Sequence, residues 1–119
     1  MTSVIRGSDE FDSAVIEDTG WNEMSSGFLN SWVNYGSGYA NARYCRVNGV
    51  VHIEGLVKSG TIGAAIFILP AEFRPTGRLI LTGMSNNVAS RFDIQTDGSI
   101  IMYSGSNSWY SITCNFSVT

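Results

Sequence analysis

Ile66-Phe67-Ile68-Leu69-Pro70-Ala71-Glu72-Phe73-Arg74-Pro75-Thr76-Gly77-Arg78-Leu79-Ile80-Leu81 is the stretch around which this chain is organised. Its first apolar run ends at Leu69-Pro70, because proline has no N–H to give a ladder and fixes its own φ. A second apolar run begins at Leu79. Between them Pro75 stiffens the backbone and Gly77 frees it, so the runs are strands not joined by a tight hairpin. The expected path leaves one sheet at Leu69, crosses an edge and enters another region near Arg78, with an ordinary surface loop as the alternative. Phe73 is the expected apolar anchor of the crossing and Arg74 its polar cover.

Upstream, Asn48-Gly49 is the strongest short hairpin signal in the chain. A two-residue turn there makes Val47 face Val50. Counting back sets Arg43 opposite Glu54 and Tyr44 opposite Ile53, a charged pair on one face and an apolar pair on the other. Residues 50–58 form the expected partner strand, with Gly55 marking a bulge or a close backbone approach. Residues 28–35 are an expected aromatic strand, broken by Gly36-Ser37-Gly38. Residues 61–69 are another, whose Gly63, Ala64 and Ala65 allow tight packing.

Downstream, residues 79–84 read as a strand and Ser85-Asn86-Asn87 as a polar loop. Asp97-Gly98 then joins residues 89–96 to 99–103. Counted as a two-residue turn, it places Phe92 opposite Tyr103 and Ile94 opposite Ile101. Residues 109–118 are the last strand. Short strands and turns at this spacing predict an all-β fold, an antiparallel β-sandwich or barrel.

The 119 residues suit one domain. Abundant glycine (13 residues) and a charged fraction of only 14% favour strands and turns over helices. Lys58 is the sole lysine, a scarcity that suits a surface partly hidden in an oligomer. A net charge of −3 argues against nucleic acid as a partner. Acid gathers at the front, where Asp9, Glu10, Asp12, Glu17, Asp18 and Glu23 face Arg6 alone. Residues 1–23 lack a clear period and are expected to be an N-terminal arm, ordered by a neighbouring subunit or a preceding shaft. Within it a short helix over residues 9–15 is expected, capped by Ser8. Residues 24–119 are the expected head. The polar, acidic opening is not expected to be a signal peptide. The longest apolar run, residues 62–69, falls far below the roughly 20 residues of a spanning helix, so membrane insertion is not expected. Cys45 and Cys114 either pair or remain two buried thiols.

Little in the chain reads as catalysis. His52 lies beside Cys45 across the expected hairpin, the pairing of a nucleophile and base, yet no oxyanion turn or orienting carboxylate accompanies it. Asp93 and Asp97 form a conceivable glycosidase pair, but Asp97 is explained by its turn and Asp93 by a solvent-facing strand position. Zinc would need more nitrogen or sulfur ligands, and phosphate-loop and dinucleotide patterns are missing. The expectation is no enzyme, no catalytic residue, no metal and no cofactor.

Aromatic and amide side chains near loops do stand out. They are Trp21, Trp32, Tyr35 and Tyr39 early, Asn86 and Asn87 between strands, and Asn107, Trp109 and Tyr110 late. A sugar stacks an apolar ring face on an aromatic side chain and satisfies its hydroxyls with Asn, Asp and Arg. Singly, Trp32 and Trp109 read as core or interface anchors. The group around Asn86, Arg91, Asp93 and Trp109 suits binding and structure equally. The expected ligand-binding set is Asn86, Asn87, Arg91, Asp93, Trp109 and Tyr110.

The run Tyr44-Cys45-Arg46-Val47-Asn48-Gly49-Val50-Val51-His52-Ile53-Glu54-Gly55, then Lys58-Ser59-Gly60-Thr61, Leu69-Pro70 and Phe73-Arg74-Pro75, resembles the C-terminal head domain of bacteriophage tail-fibre and receptor-binding proteins. Arg91-Phe92-Asp93-Ile94-Gln95-Thr96-Asp97-Gly98, ending near Trp109, continues the likeness. Ile5-Arg6-Gly7-Ser8-Asp9-Glu10-Phe11-Asp12 resembles the lead-in to such heads. The likeness implies a homotrimer of small antiparallel, jelly-roll-like β-sandwich heads around a three-fold axis. It implies attachment to host-surface saccharide or phosphosaccharide in a shallow site at or near the protomer boundary, around residues 86–93 and the loop before Trp109. It further implies other tail or fibre proteins as partners and a place in the virion after synthesis in the host cytoplasm. The chain carries no long shaft or coiled-coil segment, a departure from a whole fibre, and a separate tip protein or minimal spike is the expected alternative. A purely structural virion part is the alternative function, and a polysaccharide depolymerase ranks last.

Overall fold

A computed structural model of the chain describes residues 16–118. The helix expected over residues 9–15 lies outside the described residues. Eleven strands follow in chain order: β1 (Asn22–Glu23), β2 (Val33–Asn34), β3 (Arg43–Val47), β4 (Val50–Glu54), β5 (Leu56–Lys58), β6 (Ala65–Ile68), β7 (Leu79–Ser85), β8 (Val88–Ile94), β9 (Ser99–Met102), β10 (Tyr110–Ser111) and β11 (Cys114–Ser117). They build a four-stranded sheet, β1-β3-β4-β11, and a seven-stranded sheet, β2-β5-β10-β7-β8-β9-β6. Every ladder among the described residues is antiparallel. The fold is thus antiparallel and mostly β, with the larger sheet curled into a half-barrel. Among the described residues no helix is long and apolar enough to cross a membrane.

Both sheets turn alternate residues into one core. Tyr44, Val51, Ile53 and Phe116 come from the smaller sheet, and Val57, Phe92, Ile94, Ile100, Met102 and Tyr110 from the larger. Each such side chain contributes about 1.5–3 kcal/mol on leaving water.

The β3-β4 hairpin has the register that its turn dictates: Val47 faces Val50, Tyr44 faces Ile53 and Arg43 faces Glu54. Asn48 and Gly49 sit at φ 49° and 79°, the left-handed pair that a twisted two-residue turn requires. Arg43 Nε donates to Glu54 at 2.7 Å. Residues 17–23 lie along this hairpin. β1 pairs with β3, and the Gly49 N–H donates to the Glu17 carboxylate at 2.8 Å.

Gly55 is where the chain changes sheets. Residues 50–58 are not one strand, since β4 belongs to the smaller sheet and β5 to the larger. Gly55 has φ 148°, and a Cβ there would stand 2.4 Å from Ala42 Cα, so the expected close backbone approach is present. β10 and β11 turn the same corner alongside, with Ile112 N donating to Gly55 O at 3.1 Å.

The crossing at residues 69–78 differs from expectation. It joins β6 to β7, both in the larger sheet, and passes around the end of β8 and β9. The Leu69 N–H donates to Gly98 O at 2.9 Å, which fastens the path to the β8-β9 turn. Phe73, in a 3-10 turn over Ala71–Phe73, is buried as an anchor should be. Arg74 covers the path by donating from Nε to Leu69 O at 2.8 Å.

Three further expectations are corrected. Residues 28–35 supply only the short β2, because Asn30 and Ser31 take φ 55° and 68° and swing the Trp32 ring onto Gly60, where a Cβ would meet it at 2.0 Å. Residues 61–69 shorten to β6, as Gly63 at φ 94° ends a turn. The β8-β9 register is one residue off: Phe92 faces Met102 and Ile94 faces Ile100. Its turn holds three residues, with Gln95 and Ser99 closing it at 2.9 Å and Gly98 at φ 91°, the type I turn plus glycine bulge. Cys45 pairs with His52 on the outward face of the smaller sheet, whereas Cys114 pairs with Ile53 and packs on the core. The two cysteines are accordingly free thiols.

Candidate functional site

Strand alternation sorts the side chains of the larger sheet. Leu81, Phe92 and Tyr110 face the core, so Ile80, Thr82, Met84, Arg91 and Asp93 face outward. Trp109, one residue before β10, and Leu56 in β5 lie on that same outer face. Two groups of side chains occupy it.

The first is a half-open cavity of about 250 Å³ lined by Tyr35, Tyr39, Leu56, Asn87 and Trp109. Each wall is fixed by its local sequence. Gly36, Ser37 and Gly38 all take positive φ, which folds the chain back and brings the Tyr35 and Tyr39 rings edge to face at 5.5 Å. Tyr35 N donates to Leu56 O and Leu56 N to Ala40 O, both at 2.9 Å, tying this loop to β5. Lys58 Nζ sits 5.2 Å from the Tyr35 ring centre, a cation at the margin. Asn86 and Asn87 form a tight left-handed turn between β7 and β8, at φ 46° and 68°. The Asn87 amide has no hydrogen-bond partner among the described residues and is free for a ligand. The loop that delivers Trp109 is pinned from below. Buried Ser85 receives the Ser106 N–H at 2.7 Å and donates to Ser106 O at 2.9 Å. Asn107 Nδ2 reaches Gly60 O at 3.0 Å.

The second group surrounds Asp93, whose side chain is fully buried although it points away from the core. Arg91 gives it two hydrogen bonds at 2.8 Å and Arg78 a third at 2.9 Å. Tyr103 lies under both guanidiniums, 5.4 Å from Arg78 and 4.8 Å from Arg91, and its hydroxyl takes a hydrogen bond from Arg78. The Arg91 hydrogen bonds, with Arg78 adding to them against the opposing effect of burial, hold the Asp93 carboxyl below the usual carboxylate range. This carboxylate stays charged near neutrality, and three of its roughly four acceptor sites are taken. It cannot serve as a general acid, and it has little left to offer a sugar hydroxyl.

The expected site residues therefore part company. Asn87 and Trp109 meet in the cavity, and Asn86 stands beside it on the turn without lining it. Arg91 and Asp93 belong to the second group; the solvent-facing position expected for Asp93 is overturned by the two arginines that cover it. Tyr110 is not a surface residue. It is wholly buried between Trp32 and Phe92, its hydroxyl donates to Arg91 O at 2.8 Å, and burial pushes its pKa up to about 12. Tyr35 and Tyr39, which lie outside the expected ligand-binding set, complete the cavity. The signal for them was the Gly-Ser-Gly turn between two tyrosines. Leu56 and Lys58 carried no signal, because their place depends on the sheet change at Gly55.

The outer face of the smaller sheet offers a weaker site. Two cavities of about 390 and 330 Å³ there share Trp21 and His52. The Arg43 guanidinium already covers Trp21 at 4.4 Å, and Glu54 holds that arginine. Burial, with Asp18 adding, pushes the Cys45 thiol up, away from what a nucleophile beside His52 needs. Among the described residues no group of three or more His, Cys, Asp or Glu is placed to hold a metal ion. Compared with known proteins, the chain matches no family model and no curated sequence.

Proposed function

We propose that this chain is a saccharide-binding head module of a bacteriophage tail fibre or receptor-binding protein, a jelly-roll-like β-sandwich working as a homotrimer in the virion. Host-surface saccharide is its ligand, and other tail or fibre proteins are its attachment partners. The observation that carries the proposal is the cavity of Tyr35, Tyr39 and Trp109 with the unengaged Asn87 amide at its rim. Three aromatic walls offer stacking surface to the C–H faces of a pyranose, and the amide both donates to and accepts from hydroxyls. The likeness of residues 44–61 and 91–98 to phage head domains supplies the biological setting.

A shallow site of this size holds one or two sugar rings, and its affinity is expected near the millimolar range, about −4 kcal/mol. Three linked copies raise avidity without any new contact. The test is titration of the purified chain with surface polysaccharides from bacterial hosts, beside a glycan array. Binding that disappears in Trp109→Ala supports the assignment. Failure to bind any bacterial surface glycan overturns it.

A further inference from the structure

The outer face of the larger sheet carries more than the cavity. Ile80 is 67% exposed, Ile68 49% and Met84 47%, all on this one face. The alternation that sends Phe92 and Ile94 inward would put polar side chains here if the face met only water. Instead its centre holds a carboxylate sealed by two arginines, each still about half exposed. The arginines spend only part of their five-donor forks on Asp93 and Tyr103. With Lys58, Arg78 and Arg91 against Asp93, the face carries a net positive charge.

The opposite charge lies on the same molecule. Along β1 and its lead-in, Asp18 and Glu23 have no arginine partner among the described residues, whereas Glu17 and Glu54 are paired with Arg46 and Arg43. Trp21, 44% exposed, stands between those two acids. One chain thus presents an apolar, cationic sheet face and a separate acidic edge with an exposed aromatic.

We infer that the occupant of the outer face around Ile80 is a second copy of this chain, docked head to tail through its Asp18–Glu23 edge. Such a contact uses two different surfaces and closes into a ring when its rotation divides a full turn. The inference rests on the oligomeric part of the proposed function and names the surfaces that make it. Burial of Ile80 and Met84 drives association, and the Arg78 and Arg91 forks facing Asp18 and Glu23 set its direction.

Light scattering on the purified full chain, across a protomer concentration series up to about 100 µM, where micromolar contacts are populated, tests it. The wild type is expected as an oligomer. Ile80→Asp is expected to run at single-protomer mass, and Glu23→Lys to dissociate at concentrations at least about tenfold higher than the wild type does. Both residues are solvent-facing in the protomer, and circular dichroism with thermal melting verifies that the variants fold. Ile80→Val, which keeps the apolar surface, is expected to stay assembled. A wild type at single-protomer mass throughout overturns the inference, as does either charged variant assembling like the wild type. Glycan titration separates the two proposals. A single protomer that binds saccharide through Trp109 defeats the docking face and the homotrimer with it but leaves the saccharide reading standing, whereas an oligomer broken by Ile80→Asp that binds no glycan defeats the saccharide reading alone.

Discussion

Two regions of one sheet face invite comparison, the aromatic cavity at Trp109 and the guanidinium cluster at Asp93. Both combine aromatic rings with polar groups. They differ in whether those polar groups have anything left to do. In the cluster, three hydrogen bonds from two guanidiniums hold both oxygens of the carboxylate, and both arginines stack toward Tyr103. In the cavity, the Asn87 amide has no partner among the described residues and the rings line open space. A polar group that is already satisfied stabilises a fold, whereas one held in place but unsatisfied is available to a ligand. Residue type alone makes the two regions look like one site, and hydrogen bonding divides them.

The largest expected effect would break the comparison by removing what both regions stand on. Tyr110 packs edge-on against Trp32 and Phe92 and props Arg91 from beneath through its hydroxyl. Tyr110→Ala should cost about 3–5 kcal/mol, enough to threaten the native state. Tyr110→Phe should cost only about 1 kcal/mol, the value of one part-buried hydrogen bond to a backbone carbonyl. Urea denaturation of the two variants checks both, and a small loss for the alanine variant would mean that the ring is not the shared support.

The division itself is tested next. Trp109→Ala should weaken saccharide binding at least tenfold, about 1.4 kcal/mol, while stability moves by less than about 1 kcal/mol. Asp93→Ala should do the reverse. Its cost should be about 1 kcal/mol, reduced from the worth of a fully buried ion pair because water replaces the lost acceptor for two half-exposed arginines. For a domain of this size that lowers the melting midpoint by roughly 5 °C, with cavity binding unchanged. Calorimetry and glycan titration on the same two proteins would show whether the effects cross over.

Acid offers the same separation without a mutation. The folded-state pKa of Asp93 is depressed, so its contribution is fully present above the ordinary carboxylate range and is lost as pH falls through the folded value. A wild-type melting midpoint that drops more steeply below about pH 4 than that of Asp93→Ala is the expected result. Parallel curves would remove Asp93 from the explanation of acid sensitivity.

The contrast also shows what was legible in the sequence. Asn48-Gly49 fixed its own hairpin to the residue, because a two-residue left-handed turn leaves one register. Asp97-Gly98 looked equivalent yet belongs to a three-residue turn. That single extra residue shifts Phe92 from Tyr103 to Met102 and places Arg91 beside Tyr103. The change of sheet at Gly55 was legible as a close approach, but not as a corner, since a glycine announces its contact and not the direction of the chain beyond it. The sheet crossing expected between Leu69 and Arg78 happens at Gly55 instead. The cavity suffered most from this, because Leu56 and Lys58 reach it only after that corner. Asn87 and Trp109 were recoverable because a turn and its preceding loop can be placed without knowing the sheet.

Asn87 gives the finest test, since it serves the turn and the cavity together. Its φ of 68° is a backbone conformation that glycine adopts freely, asparagine tolerates and alanine resists by about 1–2 kcal/mol. Asn87→Gly therefore keeps the β7-β8 turn and deletes only the amide, whereas Asn87→Ala deletes the amide and strains the turn. If the side chain acts on the ligand, both variants should weaken saccharide binding by a similar factor of about three, the worth of one exposed hydrogen bond of about 0.6 kcal/mol, and only the alanine variant should melt earlier. If Asn87 matters solely because it shapes the turn that walls the cavity, Asn87→Gly should bind like the wild type. Titrating both variants against the ligand that Trp109→Ala fails to bind distinguishes an amide that contacts sugar from one that merely closes a hairpin.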